Sequence, residues 1–582
     1  MRIILTIFSV ITLISLINAR TSEILKVKLP HGGVVVGRYL STFKGKGIRG
    51  FLGVPYAKPP IGDLRFKEPI PFGAWDGERD ATKDSEICIQ RDPFRRDIEI
   101  EGSEDCLYLN VYTPIRDEKK AKPLPVMVFF HGGGWQCGSG ISMFYGPDFI
   151  MEHENIIYIG ANFRLGPLGF MSTGTKDCPG NNGLKDQVEV LKWIRDNVAS
   201  FGGDPKKVTV FGESAGGASG TYHMMSPLSK GLFNQVISQS GANFNPWAQP
   251  AHKGVAEKRA EKLGSMMGCE KNGNDWASMV NCLRKVPAEN ITAAFYDFFE
   301  WDTDPMIPFP PVVEPDLPGA FISVHPREVK QPHGISIKWM AGLTSDEGAM
   351  KSAALINLKE LTNDLNINWE HALETSLYYD HHDHSTKQKI TKRINDFYFR
   401  NRKLEPATHQ NLTNLYTDSW FLHGMDEYFR IRFSDENQSK RGPTYIYLFN
   451  HKAAASFTEI FKGGRENYFG VSHAEELQFL FPIAKWLFVS AVPTEDDLKI
   501  RDTLTEMWTN FANYGHPTPE GSNLIKWEEA TSYPVSYLRI GNKDQESSEL
   551  IKMEQGLLQE RADFWYEIGA HLPAKTETKD EL

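Results

Sequence analysis

The 582-residue sequence predicts an α/β protein with a large mixed, mostly parallel sheet, helices on both faces and helical insertions walling a cleft. Three observations lead there. Short β-branched and aromatic runs, at residues 126–130, 156–162 and 208–211, read as strands buried on both faces. Residues 184–198 lie between the second and third. Their Leu184, Val188, Leu191, Ile194 and Val198 step by four, three, three and four along one helix face. Strand, helix and strand in that order make a βαβ unit. Further strands are expected within 231–240 (at 234–237), at 335–341 and at 445–449, and an antiparallel hairpin at 27–39 around Gly32-Gly33. Residues 251–330 and 355–438 read as mostly helical or irregular insertions.

The stretch 207–218, KVTVFGESAGGA, carries the most chemistry. A β-branched run breaks into Gly212-Glu213-Ser214-Ala215-Gly216, the pattern of a strand turning sharply into a helix with a serine at its tip. Such a turn strains the serine backbone and exposes its hydroxyl above the sheet. The five-residue pattern alone arises by chance in about one chain in five of this length, so the other parts that serine chemistry needs must be present too. An attacked carbonyl becomes an oxyanion, which requires N–H groups already aimed at it. His131-Gly132-Gly133-Gly134 follows the 126–130 strand and supplies Gly133 and Gly134 as donors, with Ala215 as a third. A base must take the serine proton, and an acid must orient that base. In the chain order serine, acid, histidine, the loop after 335–341 offers Asp346 and Glu347 side by side, which sequence physics does not separate. Among seventeen histidines, His381, His382 and His384 read as a solvated loop and His516 precedes a proline in a turn. His473, in Gly470-Val-Ser-His473-Ala-Glu-Glu after the 445–449 strand, suits the base best.

Residues 1–19 form one early cation and a mainly apolar run too short to span a membrane, and read as a secretory signal; 20–578 read as one catalytic domain. The terminal Lys579-Asp580-Glu581-Leu582 reads as a retrieval address for the endoplasmic reticulum, with its receptor as a partner. A luminal, retained protein without a membrane span is expected, and sequons at Asn290, Asn411 and Asn437 agree with that route. Six cysteines are too few for a disulfide scaffold. Cys88 with Cys106 and Cys269 with Cys282 each close a short loop in a segment of weak periodicity, leaving Cys137 and Cys178 free and buried. A formal charge of −10 without a basic stripe argues against nucleic acid, and no Cys/His spacing suggests a metal.

Together with these motifs, 51–60 (FLGVPYAKPP), Leu64-Arg65-Phe66, 104–110 (EDCLYLN), 182–187 (NGLKDQ), Ser238-Gln-Ser240-Gly241 and 472–476 (SHAEE) make the chain resemble the type-B carboxylesterases, including insect esterases. The resemblance implies an α/β-hydrolase fold with Ser214 as nucleophile, Glu347 as acid and His473 as base. It also implies Gly133, Gly134 and Ala215 as oxyanion donors, the two disulfides above, small ester substrates and no cofactor. Cholinesterases in this family carry a tryptophan between the first two cysteines, whereas Phe94 is the one aromatic residue within 89–105 here. Juvenile-hormone esterases resemble the chain but carry Gln where it has Glu213. Broad hydrolysis of apolar esters is the leading expectation. Juvenile-hormone or pheromone esters or acylglycerols are the alternative substrates, and a non-catalytic luminal binding protein is the reading from another class. The aromatics Phe295, Tyr296, Phe298, Phe299 and Trp301 fit an acyl pocket or insertion packing equally well.

Overall fold

The structure, a computed structural model, describes residues 24–571 apart from 96–99, 118–120, 251, 330–332, 401, 403 and 544–548. The expected signal at 1–19 and the retrieval address at 579–582 lie outside the described residues.

An eleven-stranded sheet organises the chain. Numbered in order, its strands are β1 (Arg38–Ser41), β2 (Gly47–Pro55), β3 (Tyr108–Pro114), β4 (Leu124–Phe130), β5 (Ile157–Ala161), β6 (Gly203–Glu213), β7 (Gln235–Gln239), β8 (Lys338–Thr344), β9 (Thr444–Phe449), β10 (Ser536–Ile540) and β11 (Ile551–Gln555). Their spatial order is 11-10-9-8-7-6-4-5-3-2-1. The run from β5 to β10 is parallel, while the outer pairs are antiparallel. Parallel strands need crossovers that cover both faces, and the central strands are accordingly buried along most of their length.

Four helices matter for the site: α1 (Asn182–Asn197), α2 (Ala215–His223), α3 (Val255–Met266) and α4 (Glu495–Tyr514). Alternate residues of a strand face opposite sides, and β7 shows which helix lies where. Ser238 bonds the Gly217 carbonyl of α2, and the Cα of Gly220 in α2 faces Val236. Gln235 reaches Ala512 and Gln239 accepts from Trp508 Nε1, both in α4. Thus α2 and α4 cover opposite faces. Arg164, beyond β5, grips Asp186 of α1 through two guanidinium bonds of 2.8 and 2.6 Å, both side chains buried.

Most expected elements are present, with shifted boundaries. The 335–341 strand starts at Lys338, because its partner β9 begins opposite Trp339; residues before it form a 3₁₀ turn, His333–Ser336. The 27–39 hairpin is a separate piece, Lys26–Lys28 paired with Val34–Val36, after which β1 joins the main sheet. The two insertions are mainly short helices and loops, as expected. Phe295, Tyr296 and Phe299 pack on one another, Phe298 packs on Phe309 and Trp301 donates to Asp364, so these aromatics pack within the insertions. Both disulfides are formed, Cys88–Cys106 and Cys269–Cys282, and Cys137 and Cys178 are free and buried. No described helix is long and apolar enough to cross a membrane.

Candidate active site

Strand β6 ends at Glu213 and α2 begins at Ala215, so Ser214 alone makes the turn. Its φ of 56° and ψ of −121° fall where side-chain-bearing residues are rarely found, a strain the surroundings must hold. They hold it from both sides: Ser214 N–H donates to the Gln239 carbonyl at 2.7 Å, and Ala218 N–H donates to the Ser214 carbonyl at 2.9 Å. Glycine is required at 216, since a Cβ there would overlap the Phe130 carbonyl oxygen of the neighbouring strand. Ser214 Oγ makes no hydrogen bond to a described residue, and the residue keeps 8 % exposure, an unengaged hydroxyl at the tip of a rigid turn.

Glu347 and His473 come from the segments that follow β8 and β9. Glu347, fully buried, accepts from Thr344 N–H at 2.7 Å through one oxygen and contacts His473 Nδ1 at 2.6 Å through the other. Asp346, its neighbour, is turned away. It accepts from Val471 N–H at 2.9 Å and from Gln410 at 2.9 Å, and it pairs with Lys543. Because Asp346 N–H also donates to the Val471 carbonyl, the acid loop and the base loop are stapled together two residues before His473. Of the two neighbouring acids, Glu347 meets the imidazole and Asp346 fixes the loop. Phe421 packs on the imidazole at 4.6 Å between ring centroids.

The other imidazole nitrogen, Nε2, has Glu213 Oε1 at 2.9 Å. That oxygen has no hydrogen-bond partner, so it lies close to Nε2 but off the N–H direction and acts through its charge. Burial pulls the His473 pKa down, but the Glu213 and Glu347 carboxylates more than reverse this and hold it above the ordinary value. Glu476 lies next in this acidic group, accepting from Gln239 at 3.1 Å and Tyr447 at 3.4 Å. Burial, with the charges of Glu213 and Glu347, pushes it up to about 8.

The glycine loop 131–138 is held from behind. The Gly133 carbonyl accepts from the N–H groups of Gln136 (3.0 Å) and Cys137 (3.1 Å). In a trans peptide the next N–H points opposite to that carbonyl, so tethering it directs Gly134 N–H the other way. Gly133 itself has φ +92°, a left-handed conformation suited to glycine. Neither Gly133 nor Gly134 N–H has a hydrogen-bond partner among the described residues, and Ala215 N–H, at the first position of α2, has none within its helix. Gln90, inside the Cys88–Cys106 loop, clamps the far end: its Nε2 donates to the Gly138 carbonyl (2.9 Å) and its Oε1 accepts from Gly138 N–H (2.7 Å). His131 stacks on Phe163 at 4.2 Å, and burial lowers its pKa to about 4, so the loop opens on a neutral ring.

Glu213, Glu476, Gln90 and the stapling role of Asp346 were not assigned by sequence reasoning. Glu213 stood within the quoted GESAG pattern, yet its contact with residue 473 depends on loops far apart in the chain. His516 packs on Tyr445 and caps a turn at Thr518, outside the site; His381 stacks on His252 and His382, and His384 opens a surface helix. Of the sequons, Asn290 is exposed on Ala288–Ala293. Asn411 donates its amide to Tyr398 O at 2.6 Å. Asn437, 2 % exposed, donates its amide to Ile431 O at 2.9 Å. The expectation of a glycan at Asn437 fails on this burial, since the acceptor nitrogen is committed inside the fold.

Comparison with known proteins gives the same family as the motifs. The family model "Carboxylesterase family" matches residues 22–565. Juvenile hormone esterase of Tribolium castaneum is 35 % identical over 92 % of this chain and 92 % of its own. Esterase FE4 of Myzus persicae is 34 % identical over 88 % of each. A crystal structure of juvenile hormone esterase from Manduca sexta, with OTFP covalently attached, superposes with a TM-score of 0.80 at 27 % identity, covering 94 % of this chain and 99 % of that one. The chain therefore belongs to the carboxylesterase family, α/β-hydrolase enzymes that cleave carboxylic esters.

Proposed function

We propose that Ser214, His473 and Glu347 are the catalytic triad, with Gly133, Gly134 and Ala215 as oxyanion donors, and that the substrates are apolar esters. The observation that carries this reading is the buried 2.6 Å contact of Glu347 on His473 Nδ1, in the site where the strained Ser214 turn presents an unengaged hydroxyl. With Nδ1–H held by Glu347, Nε2 is the nitrogen left to receive a proton. It takes the Ser214 proton as Oγ attacks the ester carbonyl, and the N–H groups stabilise the resulting oxyanion. His473 returns the proton to the departing alcohol. It then deprotonates a water that attacks the acyl-enzyme, and collapse of the second tetrahedral intermediate releases the acid and restores Ser214. Glu347 stabilises the imidazolium in both halves.

A panel of p-nitrophenyl esters of increasing acyl length tests the substrate class. Burst release of p-nitrophenol followed by steady turnover, strongest on medium or longer apolar acyl groups, is expected; failure across the panel contradicts broad esterase activity. Hydrolysis of juvenile hormone is a second reading, favoured by the name of the Tribolium castaneum relative. It is tested by adding that ester to the panel.

We also propose that residues 20–578 act as one catalytic domain. The enzyme works in the endoplasmic-reticulum lumen, retained through its last four residues and glycosylated at Asn290. Secretion after deletion of residues 579–582, and loss of a glycan in Asn290→Gln, are the expected outcomes.

A further inference from the structure

A cavity of about 810 Å³ lies beside the candidate active site, and none of Ser214, Glu347 and His473 lines it. Two of its lining residues touch the site from behind. A Cβ at Gly134 would stand 3.3 Å from Ile307 Cδ1. Trp247 lies 5.9 Å from Phe421, which packs on His473. Trp247, Ile307, Pro310 and Val312 give the cavity an apolar wall.

Against that wall stands a cation with no counter-ion. Arg259, on α3, donates one bond, from Nη1 to the Pro308 carbonyl at 2.6 Å, and forms no ion pair with any described residue. Burial lowers its pKa, and Tyr378, Glu300 and Asp380 offset this only by their field. A guanidinium partly removed from water without a carboxylate on it costs free energy; a planar, bidentate acceptor is what its free edge fits. His325 supplies a second donor in the same lining. Its Nδ1 accepts from Arg327 N–H at 3.2 Å, while burial and the Arg327 charge lower its pKa to about 4. The ring is therefore neutral with its proton on Nε2, which bonds no described residue. Arg327 itself is engaged by Glu427, Gln249 and His571. The acids Glu257, Glu300, Glu314, Glu328 and Asp380 and the cation Lys253 also line the cavity, Glu314 being paired with Lys185. The acids repel added negative charge and so disfavour a dianion more than a monoanion.

We propose that this cavity is a second ligand site for the monoanion of an apolar carboxylic acid, its carboxylate on the free edge of Arg259 and its chain along Trp247, Ile307 and Pro310. Acids of this class are also what ester hydrolysis releases, yet the proposal stands on the cavity alone and does not require the triad assignment.

Calorimetric titration of the full chain with sodium dodecanoate, dodecan-1-ol and dodecyl phosphate tests it. Dodecanoate is expected to bind roughly tenfold or more tightly than the alcohol or the dianion, the scale of one charge-assisted bond. R259Q is expected to lose that preference and R259K to keep part of it, with dodecan-1-ol binding unchanged in both. Thermal melting and turnover of p-nitrophenyl acetate check that the variants are folded. Equal affinity of the wild type for dodecanoate and dodecan-1-ol, or undiminished dodecanoate binding by folded R259Q, overturns the proposal. Should R259Q not fold, a diazirine-bearing fatty acid photolysed on the wild type decides. Labelling of the segments carrying Trp247 or Ile307 supports the site, and labelling only elsewhere overturns it.

Discussion

His473 is the residue whose chemistry is most tightly set by its surroundings. One carboxylate lies on Nδ1 at 2.6 Å and another at 2.9 Å from Nε2, and together they raise the imidazole pKa against the pull of burial. The sign matters for function, because a general base works only when neutral. A raised pKa keeps the ring protonated to higher pH, so kcat/KM climbs as pH rises through that pKa. Glu213→Gln removes one of the two charges and is expected to move the acid limb of the kcat/KM profile to lower pH by about 1–3 units. A pH–rate profile checks it, and an unmoved limb would mean that the Glu213 charge is not felt at Nε2. The turn at Ser214 was legible in the sequence because a sharp strand-to-helix turn has a local signature, glycines flanking a serine. In local chemistry Asp346 and Glu347 are nearly the same, and the sequence reading reached Glu347 through the family resemblance. Only the rotation of the loop after β8, with Val471 and Lys543 on one residue and His473 on the other, distinguishes them.

At the scale of elements, the glycine loop proposed to hold the oxyanion is positioned by a segment some forty residues upstream. Gln90 holds both backbone groups of Gly138, and the Cys88–Cys106 bridge closes the loop that carries Gln90. Gln90→Leu is expected to lower kcat about tenfold or more with little change in KM, because donors aimed at the oxyanion act in the transition state and not on the ground state. Binding of a trifluoromethyl ketone, which forms a tetrahedral adduct, should weaken in parallel; an unchanged kcat in a folded variant would leave the clamp without a catalytic role. Element legibility followed burial. Strands β4, β5, β8 and β9 are apolar on both faces and read clearly, as does the Val208–Phe211 part of β6. Strand β2 carries Gly47, Gly50, Gly53 and Pro55 and so lacks strand propensity. Strand β11, with the sequence IKMEQ at the sheet edge, is half exposed and polar. What holds these two in the sheet is their neighbours, β1 and β3 in one case and β10 in the other.

For the whole molecule, the sheet is the frame: residue 214 follows β6 directly, residue 347 lies in the loop after β8, and residue 473, on the long segment after β9, meets Glu213 and Glu347. The buried Arg164–Asp186 pair ties the segment after β5 to α1, and its bidentate geometry is completed by Arg164 N–H on Asp186 and by Nη1 on the Lys67 carbonyl. Removing one partner leaves an uncompensated buried charge, so Asp186→Ala is expected to cost about 3–5 kcal/mol. Denaturant unfolding measures this; a loss below about 1 kcal/mol would place little of the stability at that pair. Such a pairing was not legible from sequence, because Arg164 and Asp186 meet only once strand β5 and helix α1 are packed. The central claim is that one serine, activated by one histidine, carries the hydrolysis. Fluorophosphonate labelling of the folded enzyme with peptide mapping by mass spectrometry tests it most directly. A single adduct on Ser214, abolished in His473→Ala and retained in His516→Ala, is the predicted result; an adduct on another serine, or undiminished labelling without His473, would contradict it.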